Sequence, residues 1–333
     1  MKKIVSIGLL LMLLAVLVGA PAGSLARADA VDRIVTFPDD AHMDACRLIE
    51  SATASILFTI YDFSDPRIED ELADAAARGV VINVMVDPGE RLALTDSKGI
   101  IADLVRAGVT VRSANPSYRI THAKYFIVDG SRAYMSGNNF TYADGKKNRA
   151  FAVITTDPKV VNDLTTIFWA DWQRKPLTLQ QLTSDRLIVS PLNAGARIKA
   201  LIDGAKTSVV VATQYLKSDM VNQALAAAAA RGVKVQAITD GTYTDSRTAA
   251  ADARMLIGGD TVRVSMTPYY HVKMIMVDGT QMFVGSQNCS DPPLTDDNPL
   301  QQQREVGIIV TDPALIARAQ AVFVFDWARS LQP

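Results

Sequence analysis

His271 and Lys273 stand two residues apart in the apolar, β-favouring run Tyr270-His271-Val272-Lys273-Met274-Ile275-Met276-Val277, and a strand would send both side chains from one face. Asp278-Gly279 is a hairpin-turn signal, and Gln281 to Val284 reads as the returning strand. Ser286 and Asn288 share a face by the same period. One hairpin surface thus carries an imidazole, an ammonium, a hydroxyl and an amide. These are the groups that bind and attack a phosphate. The pattern recurs in His122-Ala123-Lys124 with Asp129-Gly130 and Ser136-Gly137-Asn138-Asn139. The chain has 3 histidines, and two of them hold this position.

The elements that must position these groups are also duplicated. Asp32-Arg33-Ile34-Val35 matches Asp185-Arg186-Leu187-Ile188 at an offset of 153 residues, and the register holds without a gap to Asp87 against Asp240. So constant an offset marks an internal repeat. Each copy reads as strand, helix, strand: Ser55 to Tyr61 and Ser208 to Thr213 as buried strands, helices capped by Asp65-Pro66 or Ser218 and ended at Gly79 or Gly232, then Val80 to Val86 and Val233 to Ile238. A right-handed βαβ crossover follows from that order. After each hairpin, Asn148-Arg149-Ala150 matches Gln303-Arg304-Glu305, and each half closes on a helix ending in Asp171-Trp172 or Asp326-Trp327, whose tryptophans read as core. Residues 1–30 read as a signal peptide, 31–178 as one half and 179–333 as the other, with the junction between Arg174 and Pro191.

A chain of 333 residues, 49% hydrophobic and 21% charged, has ample material for a core. Lys2-Lys3, the apolar run Ile4 to Val18 and the Ala-x-Ala sites at Ala26 and Ala28 predict a cleaved export signal and a periplasmic or secreted protein. The formal charge of −1 becomes more negative without Lys2, Lys3 and Arg27, which weighs against a general nucleic-acid binder. Export permits a disulfide, but Cys46 and Cys289 read equally well as two separate buried thiols. Three scattered histidines and two cysteines offer no metal-ligand spacing, so the site is expected to work without metal or other cofactor.

The duplicated spacing, His-x-Lys-x4-Asp-x6-Gly-Ser-x-Asn, resembles the signature of the phospholipase D superfamily, and His271 to Asn288 fits at every specified position. The resemblance implies an α/β fold of two homologous αβα-sandwich halves, related by a pseudo-two-fold axis, with the active site at their interface. It also implies a phosphohistidine mechanism in which His122, Lys124, Asp129, His271, Lys273 and Asp278 form the catalytic set. Asn139, Asn288 and Ser286 would bind the phosphate, and the nucleophile would lie in the first half, at His122, with His271 as acid. Asp129 and Asp278 lie an odd number of residues from their histidines, so parity turns them away from the phosphate towards a supporting role. Two departures stand out: Gly137 replaces serine in the first copy, and Ala150 stands where the other half has Glu305. Carried over from the family, Glu305 would buttress His122 and leave His271 with no equivalent.

The family embraces phospholipases, phospholipid synthases and nucleases. Tyr269 and Tyr270 before His271, and Tyr118 before His122, offer aromatic faces for a quaternary ammonium, an acyl-glycerol edge or a stacked base. Asp291, Asp296 and Asp297 would make the rim acidic, whereas Lys146-Lys147-Asn148-Arg149 reads as a solvated turn or a phosphate track. Phospholipid at a membrane surface is the favoured substrate and partner, nucleic acid the alternative, and a monomer suffices because one chain carries both halves.

Overall fold

A computed structural model describes residues 32–39, 42–89, 97–294 and 302–333, and the expected export signal lies outside them. In the first half the strands are β1 (Asp32–Phe37), β2 (Ser55–Ile60), β3 (Val81–Val86), β4 (Thr110–Ser113), β5 (Ile120–Thr121), β6 (Tyr125–Val128), β7 (Arg132–Ser136) and β8 (Ala150–Thr155). The second half supplies β9 (Leu187–Ser190), β10 (Ser208–Thr213), β11 (Lys234–Asp240), β12 (Val262–Ser265), β13 (Lys273–Val277), β14 (Gln281–Gly285) and β15 (Gln303–Val310). The first sheet runs β1-β8-β7-β6-β2-β3-β4, and the second runs β9-β15-β14-β13-β10-β11-β12. These orders are the same under the repeat. In each, three parallel strands joined through helices continue into an antiparallel hairpin and its neighbours.

Helices α1 (Met43–Glu50), α2 (Pro66–Ala77) and α3 (Ser97–Arg106) belong to the first half. Two more follow there, the short α4 (Tyr142–Lys146) and the long α5 (Pro158–Trp172). The second half has α6 (Ala194–Asp203), α7 (Asp219–Ala230), α8 (Thr244–Ile257), α9 (Asp291–Leu294) and α10 (Pro313–Trp327). Asp65 and Ser218 cap α2 and α7 from their side chains, and Gly79 and Gly232 take φ of 90° and 85° just past their ends, as the sequence predicts.

Strand alternation sorts the core into layers. Ile56, Phe58 and Ile60 of β2 enter an outer cluster that also holds the inward faces of α1, α2 and α3, while Leu57 enters a central one. In β13, Met274 and Met276 point to the same central cluster, and Ile275 and Val277 to the outer cluster of the second half. The two sheets therefore share one hydrophobic layer, to which α5 and α10 contribute Phe168, Trp172 and Phe323. Cys46 and Cys289 are buried free thiols in different outer clusters.

The signature aspartates stand at the hairpin tips. Asp129 and Asp278 have φ of 51° and 53°, followed by Gly130 and Gly279 at 59° and 64°, a two-residue turn that needs a left-handed backbone at both positions. The Asp129 carboxylate accepts the backbone N–H groups of Thr53, Ala54 and Ser55 at 3.0, 2.8 and 2.9 Å. Asp278 does the same for Lys206, Thr207 and Ser208 at 2.9, 2.7 and 2.9 Å. Neither faces the cleft, so their inclusion in the catalytic set is corrected to a role in clamping the hairpin to the start of the central strand. Burial opposes their ionisation, but the three N–H bonds outweigh it and hold each carboxyl down at about 2.

The contribution of a carboxyl with a depressed folded pKa is whole above the unfolded value and fades as pH falls through the folded one. Asp278→Asn is expected to cost about 1–3 kcal/mol in urea unfolding at pH 7, and clearly less near pH 2.

Candidate active site

The histidines do not lie on the regular strands, as their spacing suggested. β6 starts at Tyr125 and β13 at Lys273, and each His-x-Lys segment enters its hairpin as an extended lead-in. That lead-in is held by the opposite half. β5 pairs in parallel with the start of β15, Thr121 against Arg304, and Ala123 N–H donates to Arg304 O at 3.0 Å. On the other side Tyr270 bridges to Arg149, with His271 N–H donating to Arg149 O at 3.0 Å and Arg149 N–H to Tyr269 O at 2.9 Å. Asp87 and Asp240, at equivalent strand ends, accept the N–H of the residue before each histidine, Thr121 at 2.5 Å and Tyr270 at 3.3 Å.

Two buried ion pairs lock the crossing. Arg304 reaches from the second half to Asp171 of the first at 2.8 Å, and Arg149 from the first to Asp326 of the second at 2.9 Å. Each arginine also donates to a carbonyl of its own half, Ser190 O at 2.9 Å and Phe37 O at 2.7 Å. The aspartates of the two Asp-Trp endings are thus spent on the interface.

Crossing delivers a carboxylate to each imidazole. His122 Nδ1 lies 3.0 Å from Glu305 Oε2, and Glu305 is fully buried. His271 Nδ1 lies 3.0 Å from Asp144 Oδ1 and 3.0 Å from Asn138 Oδ1. His271 therefore has a carboxylate after all, which corrects the expectation that Ala150 leaves it without one. Asp144 sits on α4, whose N-cap is Thr141; it accepts from Thr141 Oγ1 at 2.8 Å and from Asn148 Nδ2 at 2.7 Å. The Thr-x-x-Asp spacing was the signal for it, a capping pattern just before Lys146-Lys147-Asn148-Arg149, which read as a solvated turn or a phosphate track. Arg149, at the end of that stretch, is buried.

Both lysines lie beneath the cleft, almost fully buried, and donate back to the carbonyl of their own histidine: Lys124 Nζ to His122 O at 2.5 Å, Lys273 Nζ to His271 O at 3.0 Å. Asn139 and Asn288 line the cleft, each with a buried amide oxygen lacking a partner. Turned over, either amide would present N–H to an incoming oxygen. Ser286 does not reach the cleft. Its hydroxyl donates to Val306 O at 3.3 Å and accepts from Val306 N–H at 3.2 Å, which corrects its assignment to phosphate binding. Gly137 explains the irregular first motif: a Cβ there would stand 3.2 Å from Gly285 O and 3.3 Å from Phe151 O, so the close approach of the two halves leaves little room for the serine.

The cleft has a volume of about 450 Å³. Its aromatic lining is Tyr61, Tyr215, Tyr243 and Tyr269. Of the tyrosines picked from sequence only Tyr269 is among them. Tyr270 is a core residue, and Tyr118 lies under the Arg304 guanidinium, 4.3 Å from its ring centre. Tyr61 meets the His122 ring edge-on at 4.8 Å; being 61 residues upstream of it, it carried no local signal. Asp291 is exposed, and Asp296 and Asp297 lie outside the described residues. Among the described residues no cluster of three or more His, Cys, Asp or Glu side chains is arranged to hold a metal ion.

Burial governs the charge of this cluster. It lowers His271 to about 4, helped by the neighbouring Lys273 and opposed by Asp144. It lowers Lys273 to about 7 against the pull of Asp144 and Glu305, and Lys124 well below its ordinary value against that of Glu305. Glu305 rises to about 7, with Lys124 and the Ser286 hydroxyl pulling the other way. Asp144 is instead held below the carboxylate range: its burial is outweighed by His271 and by hydrogen bonds from Asn148 and Thr141. At neutral pH the cleft therefore carries less positive charge than its lysines would have in water, and an anion bound there would favour their protonation.

The family profile described as "Cardiolipin synthase, PLD-like domain" matches the chain twice, over residues 45–172 and 198–327. The chain belongs to the phospholipase D-like family. It is 29% identical over 140 residues to a mitochondrial cardiolipin hydrolase of Danio rerio, covering 41% of this chain and 60% of that protein. It is 30% identical over 114 residues to a phospholipase D of Rickettsia bellii, covering 34% of this chain and 55% of that one. The chain thus spans little more than half the length of these curated relatives. The phosphatidylserine synthase of Haemophilus influenzae shares the fold, with a TM-score of 0.66 at 14% identity over 87% of this chain and 84% of that one.

Binding of a phosphate-type anion is expected to take up protons at pH 7 at the buried lysines, and to be strongest below pH 7. Affinity falls as pH rises through 7, because above it the free lysine must first be protonated. Calorimetry with inorganic phosphate or vanadate in buffers of different ionisation enthalpy measures the uptake directly; binding without uptake contradicts the proton-poor cleft.

Proposed function

We propose that the protein is a phospholipase D-type phosphodiesterase that hydrolyses glycerophospholipids, and transfers their phosphatidyl group to alcohols, through a phosphohistidine. Two imidazoles in one cleft, each fixed at Nδ1 by a carboxylate from the opposite half, carry this reading. With Nδ1 engaged by a carboxylate, Nε2 is the nitrogen of each ring that would act on a phosphodiester.

The two carboxylates suit different tasks. Glu305, with its raised proton affinity, is the better acceptor for the Nδ1 proton when the His122 ring gains positive charge on bonding to phosphorus. Asp144 stays ionised and stabilises an imidazolium without taking its proton, the requirement for an acid at His271. In the first step the His122 Nε2 lone pair forms a bond to phosphorus, the bond from phosphorus to the leaving oxygen breaks, and that oxygen takes the proton from His271 Nε2. In the second step water, or another alcohol, attacks phosphorus and gives its proton to His271 as the bond to His122 breaks. Lys124, Lys273, Asn139 and Asn288 surround the position where charge gathers on the phosphoryl oxygens. A cleft walled by tyrosines, in a chain of negative formal charge, favours a lipid over a polyanion. One chain supplies both histidines, so a monomer is sufficient, and the N-terminal apolar run supports action on the outer side of a membrane. No helix among the described residues is long and apolar enough to cross a bilayer.

His122→Ala and His271→Ala should each lower hydrolysis of phosphatidylcholine in mixed micelles by about 10³-fold or more. Full activity in either variant sinks the two-histidine mechanism, and cleavage of single-stranded DNA with lipid left intact would replace the lipid reading with a nuclease. Asp144→Asn, which keeps the shape but removes the charge, should cost about 10²-fold in kcat. Acid-labile label from a radioactive phosphodiester should map to His122.

A further inference from the structure

His42 is the third of the chain's 3 histidines and the one that does not line the cleft. It is fully buried at the N-cap of α1, with a left-handed backbone at φ 64° that histidine tolerates better than most residues. Its ring lies between Phe37 and Phe140, 5.2 Å from each ring centre. Nδ1 lies 2.7 Å from Asp65 Oδ2, and Asp65 also accepts from the Arg67 guanidinium at 2.6 Å and from the Arg67 backbone N–H at 3.1 Å. Burial opposes ionisation of Asp65, but the bonds from His42 and Arg67 outweigh it and hold the carboxyl below its usual range. Among the described residues His42 Nε2 has no hydrogen-bond partner. A buried polar atom left unpaired opposes stability, so filling space does not by itself account for an imidazole here.

What the ring touches is α4. A Cβ on Gly145 would stand 2.7 Å from His42 Nδ1, so α4 rests its backbone directly on the imidazole, one residue after Asp144. The second half makes the same contact with the sizes exchanged. Bridges Phe63–Phe140 and Leu216–Cys289 align the two copies at this level, and in that register Gly195 stands for His42 and Leu294 for Gly145. A Cβ on Gly195 would overlap the Leu294 carbonyl oxygen, so α9 lies on the backbone of α6 with no ring between them. Phe37, Asp65 and Phe140 are likewise replaced, by Ser190, Ser218 and Cys289. This pedestal belongs to the half whose short helix carries a carboxylate, Asp144, where the other has Pro293. With 5 residues, α4 is too short to hold itself as a helix, and its place is set by what it rests on.

We propose that His42, anchored on Asp65, is a positioning residue for the reaction: its ring fixes how far α4 stands from α1 and thereby holds Asp144 in reach of His271. The inference rests on the reading of His271 as the acid and adds what places its carboxylate. Without the ring, α4 settles towards α1 as α9 does on α6, and the 3.0 Å contact from Asp144 to His271 lengthens. A small displacement of this kind slows the step that depends on the contact while leaving substrate binding alone.

The test compares, on the purified full chain, phosphatidylcholine, whose choline needs a proton to leave, with phosphatidyl-p-nitrophenol, whose nitrophenolate does not. His42→Gly, the residue of the other half and one that suits the left-handed backbone, should lower kcat for choline release about tenfold at an unchanged KM, and slow the nitrophenolate burst by less than about twofold. Gly145→Ala presses a methyl group on the ring from the other side; it should do the same, and it carries the test if thermal unfolding shows that the His42 variant does not fold. In an Asp144→Asn background His42→Gly should add nothing further, because the two act through one contact. Equal losses on both substrates, or a full second loss on top of Asp144→Asn, overturn the positioning role and leave the phospholipase reading in place. Cleavage of single-stranded DNA with neither lipid touched removes the lipid reading, and the same comparison, DNA against a nitrophenyl nucleotide ester, then decides the positioning role.

Discussion

The structure depends on the exchange of backbone pairing between its halves. Thr121 lies against Arg304 and Tyr270 against Arg149, so each histidine is held in line by the strand that follows the other hairpin. Everything at the cleft follows from this crossing. It carries Glu305 to His122 directly, and it brings His271 within reach of Asn138 and Asp144 from the turn between β7 and β8. Arg304–Asp171 and Arg149–Asp326, both buried, fix the register of the crossing, because losing one partner of either pair would leave the other charge buried and uncompensated.

The second constraint is electrostatic. Two lysines, two histidines and two carboxylates buried together cannot all keep their solution charges. Burial lowers the proton affinity of Lys124, Lys273 and His271 and raises that of the less well bonded acid, Glu305, while Asp144, with three donors around it, stays ionised. An anion such as the phosphodiester of the proposed reaction would supply the missing negative charge. The cleft is thus matched to an anion by the protons it lacks.

The repeat, both hairpins and their turns and the helix caps were legible in the sequence, because they depend on period and turn chemistry, and the Glu305 contact was legible only through the resemblance to the family. Asp144 was missed since no equivalent in the other copy pointed to it: its counterpart there, by the spacing of the two histidines, is Pro293. Tyr61, Tyr215 and Tyr243 reach the cleft from the ends of separate strands and from a helix start, a convergence that only the closed fold produces. Tyr270 and Tyr118 were misread for the opposite reason: adjacency to a histidine said nothing of the core or of Arg304. Ser286 fits its motif, yet motif position does not reveal that its hydroxyl turns to Val306 and Glu305 and away from the cleft.

The unlike carboxylates have a bearing on why the two copies are joined. Two identical first halves, assembled by the same crossing, would put Ala150 at one position and Asp144 at the other on both sides, and two second halves would place a glutamate on both. Either pair would have histidines of equal proton affinity and a choice of donor and attacker settled only by chance at each encounter. With both copies in a single chain, each side of the axis is free to differ. In the proposed reaction, covalent linkage would be a means of assigning direction to chemistry that a symmetric dimer would run indifferently either way.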